Sequence, residues 1–114
     1  MNKIKSTFPT TCIHYGDSPE DFFGAVNTPI FQNSLFIYPT FEEFVEAFKN
    51  ESNHYIYSRG NNPTVIIAER KIARLERGES AKCFSSGMAA ITSAILSSVK
   101  AGDHIISEKN IYGP

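Results

Sequence analysis

Residues 81 to 107 alternate short apolar runs with one helical pattern, and this order limits the available folds more than any other feature of the chain. Ala81-Lys82-Cys83-Phe84 reads as a short strand, and Met88, Ile91, Ile95 and Val99 recur at the spacing of one helix face. Ala101-Gly102-Asp103 closes that helix, and His104-Ile105-Ile106-Ser107 reads as a second strand. A further helical pattern precedes the first strand. The order helix, strand, helix, strand implies a right-handed β-α-β crossover, so the expected class is α/β: a mostly parallel sheet with flanking helices. Two parallel strands expose their edges and cannot bury both faces, which predicts the beginning of a sheet, and hence a truncated chain or an N-terminal fragment.

The turn between strand and helix, Phe84-Ser85-Ser86-Gly87-Met88-Ala89-Ala90, has the composition of an anion site. The first backbone N–H groups of a helix lack an intrahelical partner, and the peptide dipoles place partial positive charge there. A phosphate suits that end; serine hydroxyls add donors, and Gly87 allows close approach. The same small-residue turn also serves α/β proteins that bind nothing at it. Other phosphate motifs are missing: neither G-x-G-x-x-G nor G-K-[ST] occurs in the 114 residues. A hydrolase nucleophile elbow on Ser85 would need glycine where Cys83 stands.

Composition removes several classes of function. With 41% hydrophobic and 20% charged residues the chain has the make-up of a soluble globular protein, and a net charge of −1 argues against nucleic-acid binding. No apolar run reaches the roughly 20 residues that span a bilayer, and Met1-Asn2-Lys3-Ile4-Lys5 lacks the apolar core of a signal peptide, so no membrane role and a cytoplasmic location are expected. Cys12 and Cys83 form no metal-ligand pattern and are expected as buried free thiols. His14, His54 and His104 stand apart, and none is read as a metal ligand.

Pro9, Pro19, Pro29 and Pro39 punctuate the first 39 residues, which predicts an extended arm whose apolar side chains, Phe22, Phe23, Ile30 and Phe36 among them, cover a neighbouring subunit. A first helix is expected from Thr40, where Thr40 and Glu43 match a capping box, to about Asn50. A second begins at Pro63 under an Asn62 cap, shows an apolar face through Val65, Ala68, Ile72 and Leu75, and uses Gly78 as its C-terminal cap. The division expected is residues 1–50 as arm and first helix making intersubunit contacts, and residues 51–114 as the start of an α/β domain. Between the two helices, Tyr57 and Arg59 lie two apart in an expected extended segment, so they face one side and can address one ligand; an exposed Arg near a Tyr is also a common surface pair. Tyr112 follows the second expected strand and so lies at the carboxyl edge of the sheet, where ligands of open α/β sheets bind.

Five segments taken in order carry a resemblance: Tyr57-Ser58-Arg59-Gly60-Asn61-Asn62-Pro63-Thr64, Leu75-Glu76-Arg77-Gly78-Glu79, Ser85-Ser86-Gly87-Met88-Ala89-Ala90-Ile91, Ala101-Gly102-Asp103-His104 and Tyr112-Gly113-Pro114. Together with Gly24-Ala25-Val26-Asn27-Thr28-Pro29-Ile30 in the arm, they resemble the Cys/Met-metabolism family of pyridoxal-phosphate enzymes, which includes cystathionine synthases and lyases, methionine γ-lyase and O-acetylhomoserine sulfhydrylases. The resemblance runs from about residue 10 to residue 114 and covers the first part of a family member.

It implies a fold-type-I large domain with pyridoxal 5'-phosphate as cofactor. Ser86, Gly87 and Met88 would bind its phosphate, Tyr57 and Arg59 would reach that phosphate from the neighbouring subunit, and Tyr112 would stack on the ring and assist proton transfer. A homo-oligomer, a dimer of dimers, is implied. So is β- or γ-elimination or γ-replacement on a sulfur amino acid or an activated homoserine, with cystathionine synthesis or cleavage first, and an O-acetylhomoserine sulfhydrylase or a methionine γ-lyase as alternatives. Two departures stand out. Gly60-Asn61 occupies a place where members often have Thr-Gly, and none of Lys3, Lys5, Lys49, Lys71, Lys82, Lys100 or Lys109 lies in the family's Ser-x-Thr-Lys context. These residues alone are therefore expected to be inactive. Two readings of other classes stay open from the residues themselves: a non-catalytic association module, and a serine hydrolase using Ser85 or Ser86.

Overall fold

Threonine and proline at the start of the arm make a helix where the proline pattern predicted extended chain. The structure, a computed structural model, describes residues 7–111. Its first helix, α1, spans Phe8–His14 under a Thr7 N-cap, whose side chain accepts from the N–H of Thr10 at 3.5 Å. Pro9 falls in the first turn, where a missing N–H costs nothing, so the residue read as a breaker is compatible with helix. A 3-10 turn at Pro19–Phe22 follows, and the left-handed Phe23 ends it at φ 55°. The arm is thus only partly extended.

Helix α2 spans Phe41–Lys49 and begins at Thr40 as expected: the Thr40 hydroxyl oxygen accepts from the N–H of Glu43 at 3.2 Å. Glu42 and Glu43 sit in its first turn and Lys49 in its last, both favourable to the helix dipole. The hydrogen bond from Lys49 to Glu46, 2.6 Å, and the charge behind it hold the Glu46 carboxyl below its usual range. Both groups are well exposed, so the pair adds little to stability.

Helix α3 spans Pro63–Glu76, with Asn62 accepting from the N–H of Thr64 at 2.9 Å. Its C-terminal end departs from expectation. Arg77, not Gly78, takes the left-handed conformation, at φ 58°, while the N–H of Gly78 donates to the carbonyl of Ala73 at 2.9 Å. This is a Schellman closure shifted by one residue, and a non-glycine in that region is uncommon. The face through Val65 and Ile72 remains 41% and 46% exposed, and the buried positions of α3 are Pro63, Glu69 and Ala73.

The arm lies against this helix. α1 packs on α3, Lys71 donates to the Ile13 carbonyl at 2.6 Å and to Asp17 Oδ1 at 3.1 Å, and Arg74 lies over the Tyr15 ring at 5.6 Å. Further along the arm, the N–H of Phe31 donates to Thr64 Oγ1 at 2.9 Å, and the Phe22 and Phe31 rings meet edge to face at 5.7 Å. Residues 34–36 pair with 56–58 through a single antiparallel bridge, Leu35 to Tyr57, with the N–H of Phe36 on the Ile56 carbonyl and that of Ser58 on the Ser34 carbonyl.

Two compact units divide after Cys83. In the second, α4 spans Gly87–Ser98 and is followed by a turn in which Gly102 takes φ 98° and Lys100 N–H donates to Asp103 at 2.7 Å. The two expected strands, Ala81-Lys82-Cys83-Phe84 and His104-Ile105-Ile106-Ser107, have no ladder partner among the described residues and form no strand there. A strand is defined by its neighbour, and local sequence supplies only half of the pair. Cys12 and Cys83 are free, as expected, but exposed where burial was predicted. Little apolar surface is covered within the described residues: Ala47 and Ala73 are the buried hydrophobic side chains.

Candidate functional site

The start of α4 has the geometry that its sequence suggested. Ser86 is the N-cap, extended at φ −150° and ψ 154°, and its Oγ accepts from the N–H of Ala89 at 3.2 Å. Accepting leaves the hydroxyl hydrogen available to donate elsewhere. Gly87 and Met88 are the first two helical residues, so their N–H groups point out of the helix end with no carbonyl of the helix to receive them. The first turn contains no acidic residue, so nothing opposes an anion there. A Cβ built on Gly87 would meet nothing within 4 Å, which leaves that side open to a ligand. One hydroxyl, two backbone N–H groups and the positive end of a twelve-residue helix fit a phosphate by donor type and charge. Among the described residues no histidine hydrogen-bonds Ser85 or Ser86, and the bond made at Ser86 Oγ is the one from the Ala89 N–H.

Tyr57 and Arg59 belong to the first unit. The segment is not extended throughout: Tyr57 closes the bridge to Leu35, and residues 58–60 then turn, with the N–H of Gly60 donating to the Tyr57 carbonyl at 2.9 Å. The turn brings the two side chains together, with the Arg59 guanidinium over the Tyr57 ring at 4.9 Å from its centroid. A stacked guanidinium keeps its N–H edges directed outward, where its fork matches the oxygens of a phosphate or carboxylate. Among the described residues Arg59 makes no ion pair with a carboxylate. The hollow beside it, about 280 Å³, is walled by Tyr57, Arg59, His54 and Asn61 among others. Tyr112 lies outside the described residues.

Sequence reasoning missed the network that holds this turn. Ser58 donates through Oγ to the Asn33 carbonyl, and Asn62, which is 7% exposed, donates through Nδ2 to the Phe31 carbonyl at 3.0 Å and to Ser58 Oγ at 3.1 Å. Asn61 donates from its side chain to the carbonyls of Glu51, Ser52 and His54. The available signal was the Gly60-Asn61-Asn62 run, since asparagine amides serve turn backbones through their side chains.

The capped start of α4 and the stacked Tyr57 and Arg59 pair each present donors of a type that suits an anion. The Cys/Met metabolism PLP-dependent enzyme family matches residues 9–114, and the chain belongs to that family. Membership is consistent with fold type I and makes pyridoxal 5'-phosphate the cofactor.

Three relatives show its breadth. The chain is 46% identical to an L-methionine γ-lyase of Porphyromonas gingivalis over 96% of its own length and 27% of the relative's. It is 43% identical to an O-acetyl-L-homoserine sulfhydrylase of Corynebacterium glutamicum over 93% of its length and 24% of the relative's. It is 40% identical to a cystathionine β-lyase of Coxiella burnetii over 98% of its length and 27% of the relative's. The chain thus spans about a quarter of the length of the curated relatives it matches.

Proposed function

We propose that the whole protein is a pyridoxal-phosphate enzyme of sulfur amino-acid metabolism that catalyses β- or γ-elimination or γ-replacement. The observation that carries this reading is the open, acid-free N-terminus of α4, with Ser86, Gly87 and Met88 offering a phosphate three donors. Pyridoxal phosphate, when bound, supplies an electron sink for loss of the proton next to the substrate amine. The residues of this chain bind and orient. Ser86 O–H and the N–H groups of Gly87 and Met88 would hold the phosphate, Arg59 would neutralise its charge and Tyr57 would add a hydrogen bond, both from the neighbouring subunit, and Tyr112 would stack on the ring and assist proton transfer. That division of labour follows the resemblance and is supported by the stacked Tyr57 and Arg59 pair.

Shared sites require a homo-oligomer, and a dimer of dimers is the proposed form. Exposed apolar side chains in the arm and on α1 support it: Phe23 and Ile37 are fully accessible, and Phe8 and Ile30 are 70% and 75% exposed. The division proposed is residues 1–50 for intersubunit contacts and 51–114 for the start of the cofactor domain. There, Ala81–Phe84 and His104–Ser107 become parallel strands once their neighbours are in place. A cytoplasmic location agrees with two exposed, unpaired cysteines. No helix among the described residues is long and apolar enough to cross a membrane.

Cystathionine synthesis or cleavage is the first substrate assignment. Methionine γ-elimination is the second, favoured by the 46% identity to a methionine γ-lyase. Reconstituting the full-length protein with pyridoxal phosphate and assaying cystathionine, methionine and O-acylhomoserine decides between them. Absence of a lysine-dependent visible absorbance band in that preparation would refute the cofactor role.

A further inference from the structure

Asn61 clasps the loop that carries Tyr57 and Arg59. Its Nδ2 donates to three backbone carbonyls, those of Glu51 at 2.7 Å, Ser52 at 3.1 Å and His54 at 3.1 Å, while its own N–H donates to the Tyr57 carbonyl at 3.2 Å. An amide nitrogen has two hydrogens, so one of them is shared between acceptors. The acceptors belong to the 3-10 turn Glu51–Asn53 that follows α2 and to His54, the residue capping it; the Glu51 carbonyl also accepts the His54 N–H at 3.3 Å. One side chain therefore ties the chain ahead of Tyr57 to the residue just beyond Arg59 and Gly60. Arg59 sits between the two tied points.

We propose that Asn61 is a positioning residue for the anion grip made by Tyr57 and Arg59. With the backbone held on both sides, the guanidinium stacked on the Tyr57 ring presents its fork in one orientation, and less ordering is needed when a phosphate arrives. The chemistry requires an amide. Aspartate has the same shape but only acceptors, and it would face three carbonyls with none of the donors they need; glycine provides no donor at all. Asn62 plays a different part, because it is buried and caps α3, so its loss disturbs the fold. The inference rests on the reading that Tyr57 and Arg59 take the cofactor phosphate, and the test separates the two.

The full-length apoprotein is titrated with pyridoxal phosphate and, separately, with pyridoxal, which lacks the phosphate. Asn61→Gly weakens pyridoxal-phosphate binding about tenfold and changes pyridoxal binding by less than about twofold. In an Arg59→Ala background, Asn61→Gly produces no further loss, because the group it positions is gone. If Arg59→Ala weakens pyridoxal phosphate and Asn61→Gly does not, the positioning role is overturned while the grip stands. If Asn61→Gly weakens both ligands equally, or loses the same factor with and without Arg59, its role is structural and the inference is also overturned. If Arg59→Ala changes nothing, the grip itself falls and the inference with it. Asn61→Ser, which keeps one donor on a shorter arm, carries the same comparison should Asn61→Gly not fold.

Discussion

Glu69, on the buried face of α3, accepts the backbone N–H of Cys83 at 2.9 Å through Oε1 and the ammonium of Lys82 at 2.9 Å through Oε2. The residue is 8% exposed, so both carboxylate oxygens need partners, and the stretch from Ala81 to Cys83 provides them. This contact fastens the segment that leads out of the first unit.

Its two halves differ in strength. Lys82 is 66% exposed at its side chain, and an ion pair with one partner in water contributes under about 1 kcal/mol. The bond from the Cys83 N–H is part-buried, made to a carboxylate on a residue 8% exposed. Glu69→Ala should therefore cost about 1–3 kcal/mol, and Lys82→Ala under about 1 kcal/mol, in denaturant unfolding of the full-length protein. Equal losses for the two variants would show that the ion pair dominates.

Asp17 and Lys71 present the same contrast between the arm and α3. The Asp17 side chain is 7% exposed and that of Lys71 22%, with Nζ to Oδ1 at 3.1 Å; Oδ2 is buried with no hydrogen bond, and His14 Nδ1 lies 3.8 Å from it. Removing Lys71 strands a buried carboxylate, a loss of about 3–5 kcal/mol, whereas Asp17→Asn leaves a neutral amide that still accepts from Lys71. Lys71→Met should thus release α1 to protease at far lower denaturant than Asp17→Asn. The reverse order of proteolytic sensitivity would contradict the account.

Local chemistry was legible in the sequence, and long-range chemistry was not. Thr40 and Asn62 act as helix caps as their positions suggested, because a cap bonds to residues two or three places on; Ser86, read only as part of an anion-binding turn, caps α4 in the same way. Arg77 displaced Gly78 at the end of α3, since a Schellman closure is chosen by the bonds of the whole last turn as well as by the residue tolerating φ above zero. The arm was misread because its proline at position 9 falls where a helix accepts one, and because the surface of α3 that holds it is contributed by residues more than 50 places later. Asn61 went unnoticed because its acceptors are carbonyls, which every residue has.

Burial within the chain predicts how these 114 residues behave alone. Ala47 and Ala73 are the buried hydrophobic side chains among the described residues, while Met88, Ile91 and Leu96 of α4 are 63%, 56% and 67% exposed. So little covered apolar area cannot offset the entropy of ordering the chain, which costs about 1–2 kcal/mol per residue for the backbone. Calorimetry on residues 1–114 at monomer concentration should show no sharp endotherm. A reversible cooperative transition would prove this wrong.

Gly87 separates fold from function at the proposed phosphate site. It opens α4 without a positive φ, and an added Cβ meets nothing within 4 Å, so neither backbone strain nor packing within the described residues requires glycine there. Alanine at that position should leave the helix intact or stabilise it by up to about 1 kcal/mol, because glycine is the poorer helix former. Its methyl group would nonetheless stand where an anion must approach the N–H groups of Gly87 and Met88. Gly87→Ala should therefore keep or raise the thermal midpoint of the full-length apoprotein and weaken pyridoxal phosphate more than pyridoxal. Gly87→Asp should go further, since a carboxylate favours the helix N-terminus yet repels a phosphate from it. A Gly87→Asp protein that bound pyridoxal phosphate as tightly as the parent would remove the start of α4 from the cofactor site.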